Sequence, residues 1–252
     1  MIRFLCCCCI SSENSGNERQ PLLQPQPSEV NGAESARQTR SQNGTGTGTG
    51  RRTGRLVMRR VGVPELDQRF LDVAEAFNEQ QHRYETMVRL ISNLQQRCGC
   101  VHSGALALAE CMRKIRDEHG SKYRVTLRLK GYDFFLCVVP VESENTSDES
   151  EPLPSHLQMA VDELKNTSEC AKATISKGTS LQELIGWLLR SKDQMADQVK
   201  AAVQTYQEQQ RLDENLKENM KEVTRAKELS LEYRRRAGDV LTEAAQIAGA
   251  LL

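Results

Sequence analysis

The first residues able to do chemistry are four consecutive thiols behind a short apolar lead: Cys6, Cys7, Cys8 and Cys9. Thiols held near a membrane by apolar or basic neighbours are substrates for fatty acylation. One acyl chain gives only marginal membrane binding, whereas two or more signals give stable anchoring. The cluster therefore predicts S-acylation and a peripheral, lipid-anchored protein. Ile2 follows Met1, so N-myristoylation is not expected.

A second pattern lies nine residues after the thiols. Glu18 precedes Leu22 and Leu23 at the spacing of an acidic dileucine sorting signal. In such a signal, an extended peptide presents its carboxylate to a basic patch and its two leucines to an apolar pocket. Together, the thiols and this motif predict attachment to the cytosolic face of an endolysosomal membrane.

These patterns also carry a resemblance to a known family. The lipidated N-terminus of the membrane-anchoring subunit of Ragulator is similar to four stretches of this chain: Cys8-Cys9-Ile10-Ser11-Ser12-Glu13-Asn14, Glu18-Arg19, Leu22-Leu23 and Asn31-Gly32-Ala33-Glu34. The resemblance implies late endosomes or lysosomes, where that scaffold recruits Rag GTPases in nutrient signalling. It also implies anchoring roles for Cys8, Cys9, Leu22 and Leu23. The chain lacks the second-position glycine that the family myristoylates. The resemblance is confined to this tail, so we do not expect this chain to bind Ragulator's partners on that ground.

A third group of potential ligands is Cys98, Cys100 and His102, with Cys111 nearby. Zinc ligands are usually separated by two to four residues, so the tighter spacing here does not predict a metal site. The remaining histidines lie in polar contexts without a nucleophile motif, and no glycine-rich phosphate loop joins a strand to a helix. We therefore expect no catalytic residues, no cofactor, no small-molecule substrate and no enzymatic activity.

Composition and charge limit the remaining possibilities. Apolar residues make up 38% of the chain and aromatic residues 4%, which is below the usual apolar share and favours long helices with disordered segments. The net charge is +0, yet residues 1–63 contain nine arginines and four glutamates. No aromatic residues are interleaved with these arginines, so a membrane-surface contact is favoured over nucleic acid. No apolar run is long enough to span a bilayer.

The polar segment 11–63, which includes the repeat Gly44–Gly50, is predicted to be a flexible tether. It contains too little apolar surface to offset the entropy of ordering. A coil of about 50 residues would span on the order of 40 Å. We accordingly divide the chain into a disordered anchoring and sorting tail (1–63), a helical segment with a β-hairpin (64–140), an acidic disordered loop (141–154) and a long helical region (155–252).

The first predicted helix begins at Pro64 and ends near Gly99. Its apolar seam repeats in alternating steps of four and three residues: Leu66, Phe70, Val73, Phe77, Gln80, Tyr84, Met87, Ile91, Leu94 and Cys98. Such a repeat over four heptads is typical of a coiled coil or helix bundle. Gln80 is the strongly polar member, and a single polar residue in a seam can set register or partner number.

A shorter helix is predicted from Ser103, as its N-cap, to about His119, with Leu108, Met112 and Ile115 facing inward. A hairpin pattern follows over residues 123–139, with a turn at Lys130-Gly131. An isolated hairpin is marginal in water, so it should pack on a helix or join a partner's sheet.

The last region is predicted as two helices. The first begins at Ser155 and ends at Gly178. A capping box at Ser180 and Glu183 then starts one rod from Leu181 to about Ala248. Its buried register includes Ala202 and Tyr206, with a break or overwinding expected between Gln209 and Ala226.

We interpret the sequence as a mainly α protein with long helices or coiled coil, one β-hairpin and a disordered N-terminal tether. The predicted function is a non-enzymatic adaptor or scaffold on late endosomes or lysosomes. Its heptads would pair within the chain or with coiled-coil partners in a homo- or hetero-oligomer. The alternative is direct membrane work, as a SNARE-like or tethering factor or as a membrane-shaping helical module.

Overall fold

A computed structural model describes residues 54–100, 108–141 and 152–249, which belong to one compact unit. Five helices and one hairpin follow in chain order: α1 (Pro64–Arg97), α2 (Leu108–His119), β1 (Tyr123–Lys130), β2 (Asp133–Pro140), α3 (Ser155–Arg190), α4 (Lys192–Ala201) and α5 (Tyr206–Ile247). The predicted fold class, mainly helical with one hairpin, is confirmed. The predicted N-cap Ser103 and most of the acidic loop lie outside the described residues.

The predicted seam of α1 is the face that the helix buries. All ten positions are at least half-buried; Tyr84 and Cys98 are the two that are not fully buried. Pro64 occupies the first turn, where its missing N–H would have had no partner. The helix ends at Arg97, and Gly99 at φ +63° leads the chain away from it.

The seam is satisfied within the chain, because α1 packs against both α3 and α5. One apolar cluster joins Phe70 and Phe77 of α1 to Ile185 of α3 and Val223 of α5. It is called the strap-end cluster, after the extended segment 54–63 (the strap) that packs at this end of the bundle. The second cluster, called the hairpin-end cluster, joins residues of α2 and the hairpin to Met87 and Ile91 of α1, Leu164 of α3 and Val240 of α5. The predicted heptads therefore pair with one another in a single chain.

The prediction for residues 178–248 is wrong in three respects. Helix α3 runs through Gly178 to Arg190, so neither its end there nor the capping box at Ser180 is found. The single rod is divided at Ser191 and again at residues 202–205, whereas the break expected between Gln209 and Ala226 is not found, since α5 is continuous there. Two residues of its predicted buried register, Ala202 and Tyr206, are exposed.

The physical reason for the continuous α3 lies at Gly178. A glycine costs a helix only about 1 kcal/mol relative to alanine, which tertiary packing readily offsets. A Cβ at Gly178 would lie 2.4 Å from both Arg234 Cδ and Gln80 Nε2. The glycine is thus required by the close crossing of three helices. The break at 202–205 reverses the chain so that α5 returns along α1 and α3.

The hairpin packs on helices of its own chain, the first of the two expected arrangements. Strands β1 and β2 are antiparallel, and the turn is formed by Gly131 and Tyr132, one residue later than predicted. Gly131 has φ +64°, a conformation that side chains with a Cβ rarely adopt. The buried side chains on the inner face are Val125, Leu127, Phe134 and Leu136. Within the described ranges, no helix is long and apolar enough to cross a bilayer.

Candidate functional site

The segment that enters the bundle from the tail is packed onto it. The strap, residues 54–63, runs extended before α1. Leu56 and Val61 are only 2% and 0% exposed and belong to the strap-end cluster. The predicted tether therefore does not extend to residue 63: its last ten residues are wrongly assigned, because these two apolar side chains fill the groove between α1 and α5.

Two asparagines hold the strap through its main chain. Leu56 N donates to Asn78 Oδ1 (2.8 Å), and Asn78 Nδ2 donates back to Leu56 O (3.0 Å). Arg59 N donates to Asn219 Oδ1 (2.8 Å), and Asn219 Nδ2 donates to Arg59 O (2.7 Å). Each amide satisfies both main-chain groups of one residue, as a neighbouring strand would. Asn78 lies on α1 and Asn219 on α5, so the strap bridges the two helices.

Further bonds fix the course of the strap: Val61 N donates to Asp67 Oδ1 (2.6 Å), Asn215 Nδ2 donates to Arg60 O (2.8 Å) and Arg225 Nη1 donates to Gly54 O (3.1 Å). Gly62, at φ +78°, turns the strap into α1, and a Cβ there would lie 2.7 Å from Leu212 Cδ1. The strap is thus joined to the bundle at both ends and along its length.

The predicted anchoring and sorting residues all precede the strap: Cys6, Cys7, Cys8, Cys9, Glu18, Leu22 and Leu23. They lie outside the described residues, so their roles stay predictions. The strap is the point at which the chain that carries them joins the bundle. Sequence reasoning missed it because Leu56 and Val61 are too few to form a periodic pattern, and because Asn78 and Asn219 have no local signature.

The three described cysteines of the candidate metal group lie together where α1 meets α2. The Cys111 thiol is hydrogen-bonded to both Cys98 and Cys100. The bond from Cys111 lowers the pKa of Cys98 despite its partial burial, whereas the bond to Cys98 and burial raise the pKa of Cys111 far above its usual range. His102 lies outside the described residues. Among those described, no three or more His, Cys, Asp or Glu side chains form a group suited to a metal ion.

A buried polar layer separates the two apolar clusters. Gln80, predicted as the polar member of the seam, donates from Nε2 to Thr174 O (3.1 Å) and Ser230 O (3.4 Å). Beside it, the rings of Tyr84 and Tyr233 stack with centroids 4.2 Å apart. A polar pairing at one level disfavours helix registers that would place Gln80 among leucines. This layer positions α1, α3 and α5 relative to one another.

Comparison of the chain with protein families, with curated proteins and with solved structures finds no match. The N-terminal resemblance concerns residues outside the described part of the chain, so it remains an expectation from the sequence. The motifs of the tail and the hydrogen bonds that hold the strap are therefore the features that bear on function.

Proposed function

We propose that this chain is a non-enzymatic, lipid-anchored adaptor on the cytosolic face of late endosomes or lysosomes. Acyl chains on Cys6, Cys7, Cys8 and Cys9 would attach the tail to the membrane. Glu18, Leu22 and Leu23 would direct it to the organelle. The bundle would then present its outer surface to protein partners.

The observation that carries this proposal is the tail itself, in which four contiguous thiols and an acidic dileucine spacing occur within residues 6–23. Several acyl chains give anchoring that one chain cannot. The arginines that follow add attraction to anionic lipid on the cytosolic leaflet. Because the strap is bonded to both α1 and α5, an anchor on the tail would hold the whole bundle.

The fold narrows how partners would bind. The seam of α1 is buried within the chain, so partner helices would have to dock on outer faces rather than on this seam. Four large apolar side chains remain between 39% and 48% exposed on the long helices: Leu71, Val88, Met159 and Leu231. These positions are spread over α1, α3 and α5, and both homo- and hetero-oligomers are compatible with them.

The proposal is tested by replacing Cys6, Cys7, Cys8 and Cys9 with serine in the full chain expressed in cells. We expect the variant to leave the membrane fraction while its bundle stays folded. The matched control is Cys98→Ser, which removes a half-buried thiol at the end of α1 and should leave membrane attachment unchanged. Retention of the serine variant on late endosomes or lysosomes would contradict the proposal.

The dileucine element has its own test. Leu22→Ala with Leu23→Ala should leave the chain acylated and membrane-bound but spread it over other membranes, because the apolar contacts of the signal are lost. The measurement is overlap with a lysosomal marker by fluorescence microscopy. Unchanged overlap would show that these leucines do not direct sorting.

The alternative of membrane shaping by the long helix gains no support from its one dense basic patch. Arg235 is paired with Asp239 (3.0 Å) and Arg236 with Glu232 (3.2 Å). Arg234 lies half-buried, with Nη1 bonded to Gln182 Oε1 (2.6 Å). Cations that are paired or turned inward do not form the basic face that bending a bilayer requires. Liposome deformation by the bundle alone would favour this alternative over the adaptor.

A further inference from the structure

We propose that the outer face of the hairpin is a contact surface for an anionic lipid bilayer, which sets the side of the bundle that faces the membrane. This inference rests on the proposed function, because an anchored tail would hold the hairpin within reach of a bilayer. It concerns a different part of the molecule, which lies outside the predicted anchor and was not singled out by any motif.

The composition of this face follows from strand periodicity. Because Val125 and Leu127 point into the core, the residues between and beside them in β1 point outward: Arg124, Thr126, Arg128 and Lys130. Their partners in β2 place Val139 opposite Arg124 and Phe135 opposite Arg128. The pairing continues past the strands through Val141 N donating to Lys122 O (3.0 Å). The outer face therefore carries a row of cations beside a row of apolar side chains.

The four cations of this row, here called the basic strip, are Lys122, Arg124, Arg128 and Lys130. All four are exposed, and none forms an ion pair with another residue of the described ranges. By contrast, the hairpin's acidic residue, Asp133, is paired with Lys172 of α3. Among the described residues, the carboxylate of the hairpin is thus paired and the four cations of the basic strip are not.

The row beside the basic strip supplies apolar contacts. Val139 and Val141 are 45% and 51% exposed, and Tyr132 at the tip of the hairpin is 82% exposed. Tyrosine is enriched where a protein meets the membrane interface, since its ring is apolar and its hydroxyl remains hydrated. Cations near anionic lipid together with apolar groups at the headgroup boundary are the two terms of interfacial binding.

A bilayer fits this face better than an extended peptide does. An extended peptide would add to an unpaired strand edge, but both edges of this hairpin are partly used by helices. Arg116 Nε donates to Val125 O (3.1 Å) on the outer edge of β1, and Phe134 N donates to Ser168 Oγ (3.0 Å) on the outer edge of β2. What remains exposed among the described residues is the outer face, whose cations and apolar side chains suit the headgroup region of an anionic bilayer.

The test uses the full chain made without acylation, so that binding by the hairpin is measured apart from the anchor. Vesicles of phosphatidylcholine with about 30% phosphatidylserine are compared with phosphatidylcholine alone, because the charge term requires anionic lipid. Arg124→Gln with Arg128→Gln should weaken binding to the anionic vesicles about thirty-fold, since each cation near the surface contributes a factor of about five.

The matched control is Lys192→Gln with Lys200→Gln, two exposed cations of α4 whose removal changes the net charge equally. We expect this control to bind almost as well as the unaltered chain. Equal losses in both variants, or no loss in the arginine variant, would overturn the proposal. The tail arginines are common to all variants, so they cancel in the comparison.

A second variant tests the apolar row. Tyr132→Ser with Val139→Ser should weaken vesicle binding several-fold while leaving its dependence on salt unchanged, since no charge is removed. Another occupant would overturn the proposal: capture of an acidic peptide by the hairpin, with no difference in binding between the two vesicle types.

Failure of this vesicle test and failure of the proposed function are distinguishable. The vesicle assay contains no acylated protein, so it is independent of Cys6, Cys7, Cys8 and Cys9. A chain that loses its organelle in the serine variant, yet shows no effect of the arginine variant, would keep the anchor and lose the hairpin surface. The opposite pair of results would keep the surface and lose the anchor.

Discussion

The strap and the hairpin are both extended chain packed on helices, but they use their main chains differently. The hairpin pairs its N–H and C=O groups within itself over residues 123–140. In the part of the chain that the structure describes, no strand pairs with the strap, and asparagines from α1 and α5 bond to its main chain instead. One face of the hairpin is therefore exposed among the described residues. In the strap, the side chains of Leu56 and Val61 are buried and the main chain is bonded to the helices. The strap therefore joins the tail to the bundle, and the outer face of the hairpin is the surface that we propose for contact.

Truncating a large buried side chain in the cluster at each region should lower the free energy of unfolding more than any other change proposed here. Phe77 in the strap-end cluster and Phe134 in the hairpin-end cluster are both fully buried. Replacement of either by alanine should lower the free energy of unfolding by about 3–5 kcal/mol, because a large cavity is left. Urea unfolding of each variant measures the loss. A cost below about 1 kcal/mol for Phe134→Ala would mean that the hairpin is not part of the cooperative core.

The strap itself can be loosened without replacing an apolar residue of the core. Asn78→Ala with Asn219→Ala removes four hydrogen bonds to the strap and leaves their main-chain groups without those partners. Each site should cost about 1–3 kcal/mol in the free energy of unfolding. Amide exchange at Leu56 and Arg59 should accelerate while exchange in the hairpin does not change.

Asn215→Ala is the matched control for the strap, since Asn215 makes a single bond, to Arg60 O. We expect a cost of about 0.5–1.5 kcal/mol from it. If the double variant exchanged its Leu56 amide no faster than the control, the asparagines would not be what holds the strap.

The crossing between the two regions is tested at Gly178. Gly178→Ala should destabilise the fold by about 1–3 kcal/mol, since its Cβ would overlap Arg234 and Gln80. Gly238→Ala is the control on the same bundle, because a Cβ there meets nothing within 4 Å. That control should stabilise the helix by about 0.5–1 kcal/mol. Thermal unfolding that shifts the two variants in the same direction would contradict the close crossing.

A smaller expected effect, at the hairpin end of the bundle, is a dependence of the free energy of unfolding on pH that comes from Glu163. Glu163 is buried, with Arg97 Nη2 3.2 Å from its Oε1. Burial raises the pKa of this carboxyl above its ordinary value, and Arg97 only partly opposes the shift. The folded chain therefore holds the proton to higher pH than the unfolded chain, so the free energy of unfolding rises as pH falls from the raised pKa towards the ordinary value of 4.5. Glu163→Gln should remove this slope, measured by urea unfolding at a series of pH values; an unchanged slope would contradict it.

Elements held by contacts between residues close in sequence could be predicted from the sequence, and those held by contacts between distant residues could not. The seam of α1 and the strands of the hairpin are visible because their patterns repeat every few residues. The strap is invisible because Asn78 and Asn219 lie 22 and 160 residues from the strap residues that they hold. The sequence predicts the end of α3 at Gly178, which is wrong for a similar reason: the residues that require a glycine there belong to two other helices.

The cap of α2 illustrates the same limit. Ala109 N donates to Glu243 Oε1 (3.1 Å), so a carboxylate from α5 serves the first turn of α2. A local serine, Ser103, was predicted for that role and lies outside the described residues. The candidate functional residues of the tail are a different case. Their spacing predicts acylation and sorting, but both depend on modifying enzymes and membranes, which folding contacts do not report.

The acylation state of Cys6, Cys7, Cys8 and Cys9 is the most direct test of the proposed adaptor. Protein taken from cells is treated with hydroxylamine, which cleaves thioesters, and each freed thiol is labelled with a mass tag. We predict a hydroxylamine-dependent mass increase of two or more tags, lost when these four residues are replaced by serine. A chain that gains no tag, and that sediments with no organelle, would contradict the lipid anchor on which the proposed function depends.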